Sequence, residues 1–341
     1  MNIFNKRVNE LRSLMSEAGL DAILTPSVNN VFYYTGLKML SGDFAFTLIS
    51  KSGNVDLFVS PLVNYLSLKT AKVHPTTDTK DLKKLLEKHK KIGFDEFGFS
   101  VHKFKSLKTK SVRFFPAGDL MRRPREIKDQ SEINTIKKAI KITESSLKSV
   151  RPAGKTEFQL AEEVECGFRK RGALNAFETI VSAGKRSSFV HYKPQNKKIH
   201  KNDVVLVDSG AKFNEYCADI TRMFCSKPDK KQKIILEDVL EIQKALIDYI
   251  REGVNMKNIN NYYKKLLDKK RYQMLHSFGH GLGLGVHEGP FGGELKSGMI
   301  ITVEPGIYIK GFGGCRIEDD ILVKKDKSQT LSSASRSYMN F

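Results

Sequence analysis

The sequence predicts an α+β protein of two domains, a smaller α/β domain at residues 1–122 and a larger one at residues 123–341. Three observations predict it. Short apolar strand runs alternate with amphipathic helices in the first part of the chain. The polar stretch MRRPREIKDQ then breaks that pattern, with Pro124 interrupting regular structure. Beyond residue 180, strand-like runs carry acidic residues inside apolar sequence. A length of 341 residues suits two domains.

In the first domain Val8, Leu11, Leu14 and Met15 fall at helical spacing, and Gly19 stops that helix. DAILT follows as a short buried strand. FAFTLIS and VDLFVS flank Lys51-Ser52-Gly53-Asn54 and read as a hairpin. DLKKLLEKHKK is a second amphipathic helix, IGFD another strand, and VRFFPAGDL leads into the boundary.

In the second domain Asp129 with Glu132 forms a capping-box pattern ahead of a helix buried through Ile133, Ile136, Ile140 and Leu147. Thr156 with Gln159 opens another, carrying Leu160, Val164 and Phe168. Four strand runs follow (VVLVDSGA, YCADITRMF, MIITVEPGIYI and CRIEDDILV), with the glycine-rich HSFGHGLGLGVHEGP between them. No solenoid repeat is present.

Composition excludes several classes. Hydrophobic residues at 40% and charged ones at 28% supply a core, so the chain is not disordered. No run approaches the ~20 apolar residues of a membrane helix. MNIFNKRVNELRSLM lacks an apolar signal core, so a cytoplasmic location and no membrane partner are expected. Lys and Arg number 58 against 38 Asp and Glu, a net +20. The lysines are spread over nearly every segment without a nucleic-acid motif, so solvated faces are expected and no specific nucleic-acid partner. Cys166, Cys217, Cys225 and Cys315 form no CxxC pair and read as reduced, buried thiols.

Carboxylates embedded in apolar strands carry the chemistry. Asp208 sits in VVLVDSG and Asp219 in YCADITR; an antiparallel hairpin turning near Phe213-Asn214 would set them opposite each other on one face. Glu304 and Glu318 repeat the arrangement across Gly306, Gly311, Gly313 and Gly314. Four converging buried carboxylates repel, and two divalent cations cancel their charge. Four of the eight histidines cluster nearby, His191, His276, His280 and His287. HSFGH is not a zinc-protease helix, because Ser277 stands where HExxH needs glutamate and glycines disfavour a helix. GHGLGLG fails the dinucleotide spacing at Leu284. A glycine-rich strand letting backbone approach a metal site is the better reading.

LVDSGAKFNEYCADITR, HSFGHGLGLGVHEGP, VEPGIYI and RIEDDI resemble the motifs of the pita-bread metallopeptidases, the family of aminopeptidase P, prolidase, methionine aminopeptidase and creatinase. NNVFYYTG, IGFDEF and Arg125-Glu126-Ile127-Lys128 resemble the amino-terminal domain of the proline-specific members. The resemblance implies a C-terminal pita-bread domain behind a creatinase-like α/β domain. It implies metal ligands Asp208, Asp219, His280, Glu304 and Glu318, with Asp219 and Glu318 bridging two divalent ions. Mn²⁺ comes first, with Co²⁺, Zn²⁺ and Fe²⁺ also suited to an oxygen-rich shell with one imidazole. By the same resemblance Glu304 shuttles a proton, His191 and His287 contact the substrate and stabilise the intermediate, and His276 is a further substrate-side histidine. Arg316 pairs with the bridging carboxylates or with a substrate carboxylate. The implied activity is hydrolysis of the Xaa-Pro bond in an Xaa-Pro peptide substrate, prolidase ahead of aminopeptidase P, by a homodimer.

Phe177, Phe189 and Phe291 are candidates for a proline pocket. The chain departs from its relatives at Glu215-Tyr216, where Gly-Tyr is usual, and at Gly285, where Asp is common. Asn214 can supply the left-handed turn residue. Two other functions stay open: a non-catalytic binding module on this fold, favoured by the charge, and methionine aminopeptidase, disfavoured by the extra amino-terminal domain.

Overall fold

The computed structural model describes every residue except 1, 41, 67, 291 and 340. The chain divides into two compact units, Met1–Arg125 and Glu126–Phe341. Helices and strands are mixed in both, 35% and 23% of the chain.

The first unit is built on one six-stranded mixed sheet. In spatial order its strands are Lys72–Pro75, Val55–Val59, Ala45–Ser50, Ala22–Thr25, Lys91–Phe94 and Arg113–Pro116. The helix Ile3–Glu17 buries Val8, Leu11 and Met15, and Gly19 leaves it at a φ of 65°. The expected hairpin is present, with Ile49 opposite Val55. Three elements escaped the periodicity. The helix Val28–Thr35 is rich in aromatic, Asn and β-branched residues of low helix propensity, yet buries Val31, Tyr33 and Tyr34. Val101–Leu107 is a short helix, and Lys72–Pro75 an edge strand that can end on proline because its outer N–H needs no partner. One expectation is corrected: Pro124 does not interrupt regular structure. It lies inside the helix Gly118–Glu126, two residues from its end. So near the end, the one lost backbone bond does not break the helix.

The second unit repeats one order of elements. Helices Gln130–Ser149 and Glu157–Lys170 precede a broken hairpin of Val205–Ser209, Ala211–Phe213, Tyr216–Cys217 and Ile220–Phe224. Helices Lys230–Tyr249 and Met256–Lys269 precede a second, of Ile300–Val303, Gly306–Ile309, Gly313–Arg316 and Asp319–Val323. Both expected capping boxes form, and Asp229 with Gln232 makes a third. The core packs the later two helices, through Ile235, Val239, Ile242, Leu246, Tyr263 and Leu267, onto strand residues Leu206, Met223, Ile301, Val303 and Ile321.

The hairpin registers place the acids. Thr221 pairs with Asp208 and Cys217 with Lys212, so one register runs the length of the first hairpin. Its loop is Asn214-Glu215, both at positive φ (45° and 71°), the geometry of a two-residue type I′ turn. The turn therefore lies one residue beyond the expected Phe213-Asn214. Asp219 is not opposite Asp208 but two residues along from its partner Thr221. Alternate residues share a face, so the aspartates still converge. In the second hairpin Val303 pairs with Asp319 and Gly306 with Arg316. Continuing either register sets Glu304 opposite Glu318.

Candidate metal centre and its cavity

Asp219, Glu304 and Glu318 all occupy short breaks between strand segments, whereas Asp208 is within a strand. At these breaks the chains approach closely. A Cβ on Gly210, across from Asp219, would stand 1.9 Å from the Ala218 carbonyl oxygen. The glycine-rich segment behaves likewise but is not a strand. Gly281 makes isolated bridges to Glu288 and Ile301, and a Cβ there would lie 2.0 Å from the Gly289 carbonyl. Its backbone closes tightly on neighbouring chain, but the regular strand expected for it does not form.

One cavity of about 910 Å³ is lined by Asp208, Asp219, Glu304, Glu318, His191, His276, His280, His287 and Arg316. Donor atoms of Asp219, His280 and Glu318 lie within 4.8 Å of one another. Glu304 Oε1 and Asp219 Oδ2 are each 3.6 Å from His280 Nε2. Asp208 stands apart from that cluster, with Oδ2 accepting from Arg316 Nη2 at 2.6 Å.

Hydrogen bonds fix the histidine tautomers. His280 Nδ1 is 3.2 Å from the Gly281 carbonyl, which can only accept, so Nδ1 carries the proton. The bare Nε2 lone pair then faces two carboxylate oxygens. Burial and His287, whose ring stands 4.3 Å away, hold the His280 pKa down to about 4, so the ring is neutral. Three acceptor groups aimed at one point are repulsive until a cation occupies it. Asp208 Oδ1 and Asp219 Oδ1 are moreover buried without a hydrogen-bond partner. These groups fit a divalent-cation site with one imidazole and several carboxylates.

The carboxylates feel one another. Burial, then the charges of Glu318 and Asp208, push Asp219 well above the usual carboxylate range. Burial, then Glu304 and Asp208, do the same to Glu318. Burial pushes Glu304 up to about 7, against the opposing pull of Arg316.

A relay of polar contacts runs along the cavity wall. Arg316 is buried and donates to Asp208, to Thr221 Oγ1 (3.0 Å), to the Val190 carbonyl (3.2 Å) and to the Tyr308 hydroxyl (2.8 Å). Since guanidinium only donates, the Tyr308 proton points at His276 Nε2, 3.0 Å away. His276 Nδ1–H then goes to the Ser277 carbonyl at 2.8 Å. Burial, then the Arg316 charge, hold His276 down to about 4. His191 and His287 are exposed on the cavity surface.

The motifs and spacing singled out neither Thr221 nor Tyr308. Thr221 donates to Glu318 Oε2 at 2.7 Å while accepting from Arg316. Its signal was a hydroxyl two residues from Asp219, on the same face. Phe177 lines the cavity, whereas Phe189 is 60% exposed and stacks on Tyr192; Phe291 lies outside the described residues. All four cysteines are free thiols. Cys166 is exposed, against the expectation that all four are buried. It lies on the helix Glu157–Lys170, whose buried positions are taken by Leu160, Val164 and Phe168. No helix among the described residues is long and apolar enough to cross a membrane.

Residues 134–325 match the model of metallopeptidase family M24, and residues 7–127 that of the creatinase/prolidase N-terminal domain. The chain is 33% identical to the Xaa-Pro dipeptidase of Pyrococcus horikoshii, over 98% of this chain and 99% of that protein. Its structure resembles the Xaa-Pro dipeptidase from Bacillus anthracis with a TM-score of 0.90 at 30% identity, covering 99% and 100% of the two chains. It also resembles the X-Pro aminopeptidase from Thermotoga maritima MSB8, with a TM-score of 0.88 at 32% identity over 98% and 99%.

Proposed function

This chain belongs to metallopeptidase family M24, and from that membership we propose that it is a metal-dependent dipeptidase hydrolysing the Xaa-Pro bond. One observation carries the reading: Asp219, His280 and Glu318 aim their donor atoms at a common point in the same cavity that is lined by Asp208, Glu304, Arg316 and the other three expected histidines.

Asp208, Asp219, His280, Glu304 and Glu318 would hold two divalent cations, manganese first. Bound there, such cations supply Lewis-acid polarisation of the scissile carbonyl and acidify water. The protein's own groups do the rest. Glu304, whose carboxylate lies 3.6 Å from His280 and 3.9 Å from His276, takes the proton of the attacking water and returns it to the proline nitrogen as the C–N bond breaks. His191 and His287 reach the substrate from the exposed cavity wall and donate to its carbonyl oxygen as negative charge grows there. His276, oriented by Tyr308, holds the substrate side of Glu304. Arg316, with four donors already engaged inside the protein, serves to hold Asp208 and the Tyr308 hydroxyl, and not as a free clamp for a substrate carboxylate. The same reading carries a cytoplasmic homodimer.

A second reading, removal of the first residue from longer Xaa-Pro peptides, has the likeness to the Thermotoga maritima enzyme behind it. Product analysis with Mn²⁺ separates the two. A dipeptidase releases proline from Xaa-Pro and leaves Xaa-Pro-Yaa intact. Release of Xaa from Xaa-Pro-Yaa at a comparable rate selects the second reading. No turnover of either, with Asp219→Asn binding Mn²⁺ as the parent does, rejects both.

A further inference from the structure

Behind the cavity, on the opposite face of the second hairpin, lies a buried polar network that the reaction does not use. Asp319 follows Glu318, so its side chain leaves the strand on the other face. It is fully buried and accepts from three donors: Arg222 Nη2 at 2.7 Å, Gln243 Nε2 at 3.0 Å and Arg336 Nε at 2.7 Å. Arg222 is itself fully buried, and donates as well to the carbonyls of Thr221 (2.9 Å), Glu318 (2.6 Å) and Ala334 (3.1 Å). Gln243 Nε2 also reaches the carbonyls of Val303 (3.2 Å) and Ile317 (3.1 Å), the residues immediately before Glu304 and Glu318.

Arg336 belongs to a segment that is strapped down at several points. Glu144, buried on the helix Gln130–Ser149, accepts from the Ser333 and Ala334 backbone N–H groups and from the Ser333 hydroxyl. Tyr338 donates to the Gln232 carbonyl at 3.0 Å, and Met339 N–H to the Met223 carbonyl at 2.8 Å.

We propose that residues 333–339 and Gln243 form a clamp that positions the metal-binding carboxylates, acting through the Asp319–Arg222 pair. This rests on the metal-site reading above. Two physical points support it. A buried ion pair adds little stability over apolar residues of the same volume, so stability alone does not account for it. Its contacts fall on the backbone at 303, 317 and 318, beside two of the five ligands, where small displacements would misplace a carboxylate. Groups that orient ligands in this way typically tune metal affinity or activity by ~10–100-fold. Arg336 and Gln243 touch neither substrate nor metal, so both are positioning residues.

The test uses the full chain and Mn²⁺ alone as probe, followed by Xaa-Pro kinetics. Arg336→Ala is expected to weaken Mn²⁺ binding about tenfold in calorimetric titration and to lower kcat at saturating metal, with KM within twofold. Arg336→Lys is expected to restore part of both. Gln243→Met keeps the volume, removes the donors and should weaken Mn²⁺ similarly, so it decides the matter if Arg336→Ala does not fold. Folded variants that lose thermal stability but bind Mn²⁺ with the parent's affinity overturn the clamp. A parent that binds no Mn²⁺, or an Asp219→Asn variant that binds it unchanged, overturns instead the metal-site reading beneath it.

Discussion

Arg316 Nη2 stands 2.6 Å from Asp208 Oδ2 in a buried ion pair, while Asp208 Oδ1 has no partner. The pair leaves one oxygen of the carboxylate without a partner. Removing a single partner from a buried pair costs about 3–5 kcal/mol, because an uncompensated charge remains. Arg316→Met should therefore destabilise the metal-free protein by about that much. Saturating Mn²⁺ should recover part of the loss, since a cation on Asp208 replaces the missing positive charge. Urea unfolding with and without Mn²⁺ checks this; an equal loss in both conditions means that Asp208 does not face the metal.

Tyr308 joins Arg316 to His276, with bonds of 2.8 and 3.0 Å. Tyr308→Phe removes the hydroxyl but keeps the ring. A hydrogen bond to a charged group contributes about 1.5–3 kcal/mol. If part of that orients His276 in the transition state, kcat/KM should fall roughly tenfold. Mn²⁺ affinity should stay within twofold, because the hydroxyl contacts no proposed ligand. Steady-state kinetics beside metal titration decides, and a change confined to metal affinity would contradict the assigned role.

The ligands were legible because burial of charge is costly enough to be visible as a residue type out of place. Asp208, Asp219, Glu304 and Glu318 each interrupt apolar sequence, and all four line one cavity. Arg222 in ITRMF and Asp319 in RIEDDI carry the same signal, yet alternation turns Asp319 to the opposite face. Gln243 is hidden because it sits on the buried side of the helix Lys230–Tyr249, among Val239, Ile242 and Leu246, where a lone amide marks no chemistry. The first hairpin's register was out of reach because it depends on which two residues take positive φ. Asn214 was a natural choice for one of them, whereas nothing in local propensity marks glutamate for the other.

That glutamate makes a prediction of its own. Glu215 holds a φ of 71°, a conformation that costs a non-glycine residue roughly 1–2 kcal/mol. Its pair with Lys212 at 3.0 Å, about four-fifths buried on both sides, offsets up to ~1 kcal/mol. Glu215→Gly removes strain and pair together and adds some unfolded-state entropy. Asn-Gly is also the preferred type I′ sequence. Stability should be unchanged or higher by up to ~1 kcal/mol, measured by denaturant midpoint. A loss above ~1 kcal/mol would show that the ion pair outweighs the backbone strain.

Metal removal should expose the charge repulsion as a pH dependence. Glu304 is pushed up to about 7, and Asp219 and Glu318 are raised well above the usual range. Groups with raised folded-state values contribute stability that is full below the unfolded pKa, near 4, and lost as pH rises through the folded one. His276 and His280, held down to about 4, act in the opposite sense, and their contribution is lost as pH falls from about 6.5 towards 4. The two sets compete below about pH 6.5. Above it the histidines are neutral in both states and only the carboxylates titrate. The metal-free protein should therefore lose stability as pH rises from about 6.5 through 7, at up to about 1.4 kcal/mol per pH unit while Glu304 stays protonated only in the folded state. Saturating Mn²⁺ should flatten that slope, because the cation stabilises the ionised carboxylates. Thermal unfolding across this range, with chelator or with Mn²⁺, reads it directly; a metal-free protein whose stability rises towards pH 8 would show that the carboxylates do not crowd one another as described.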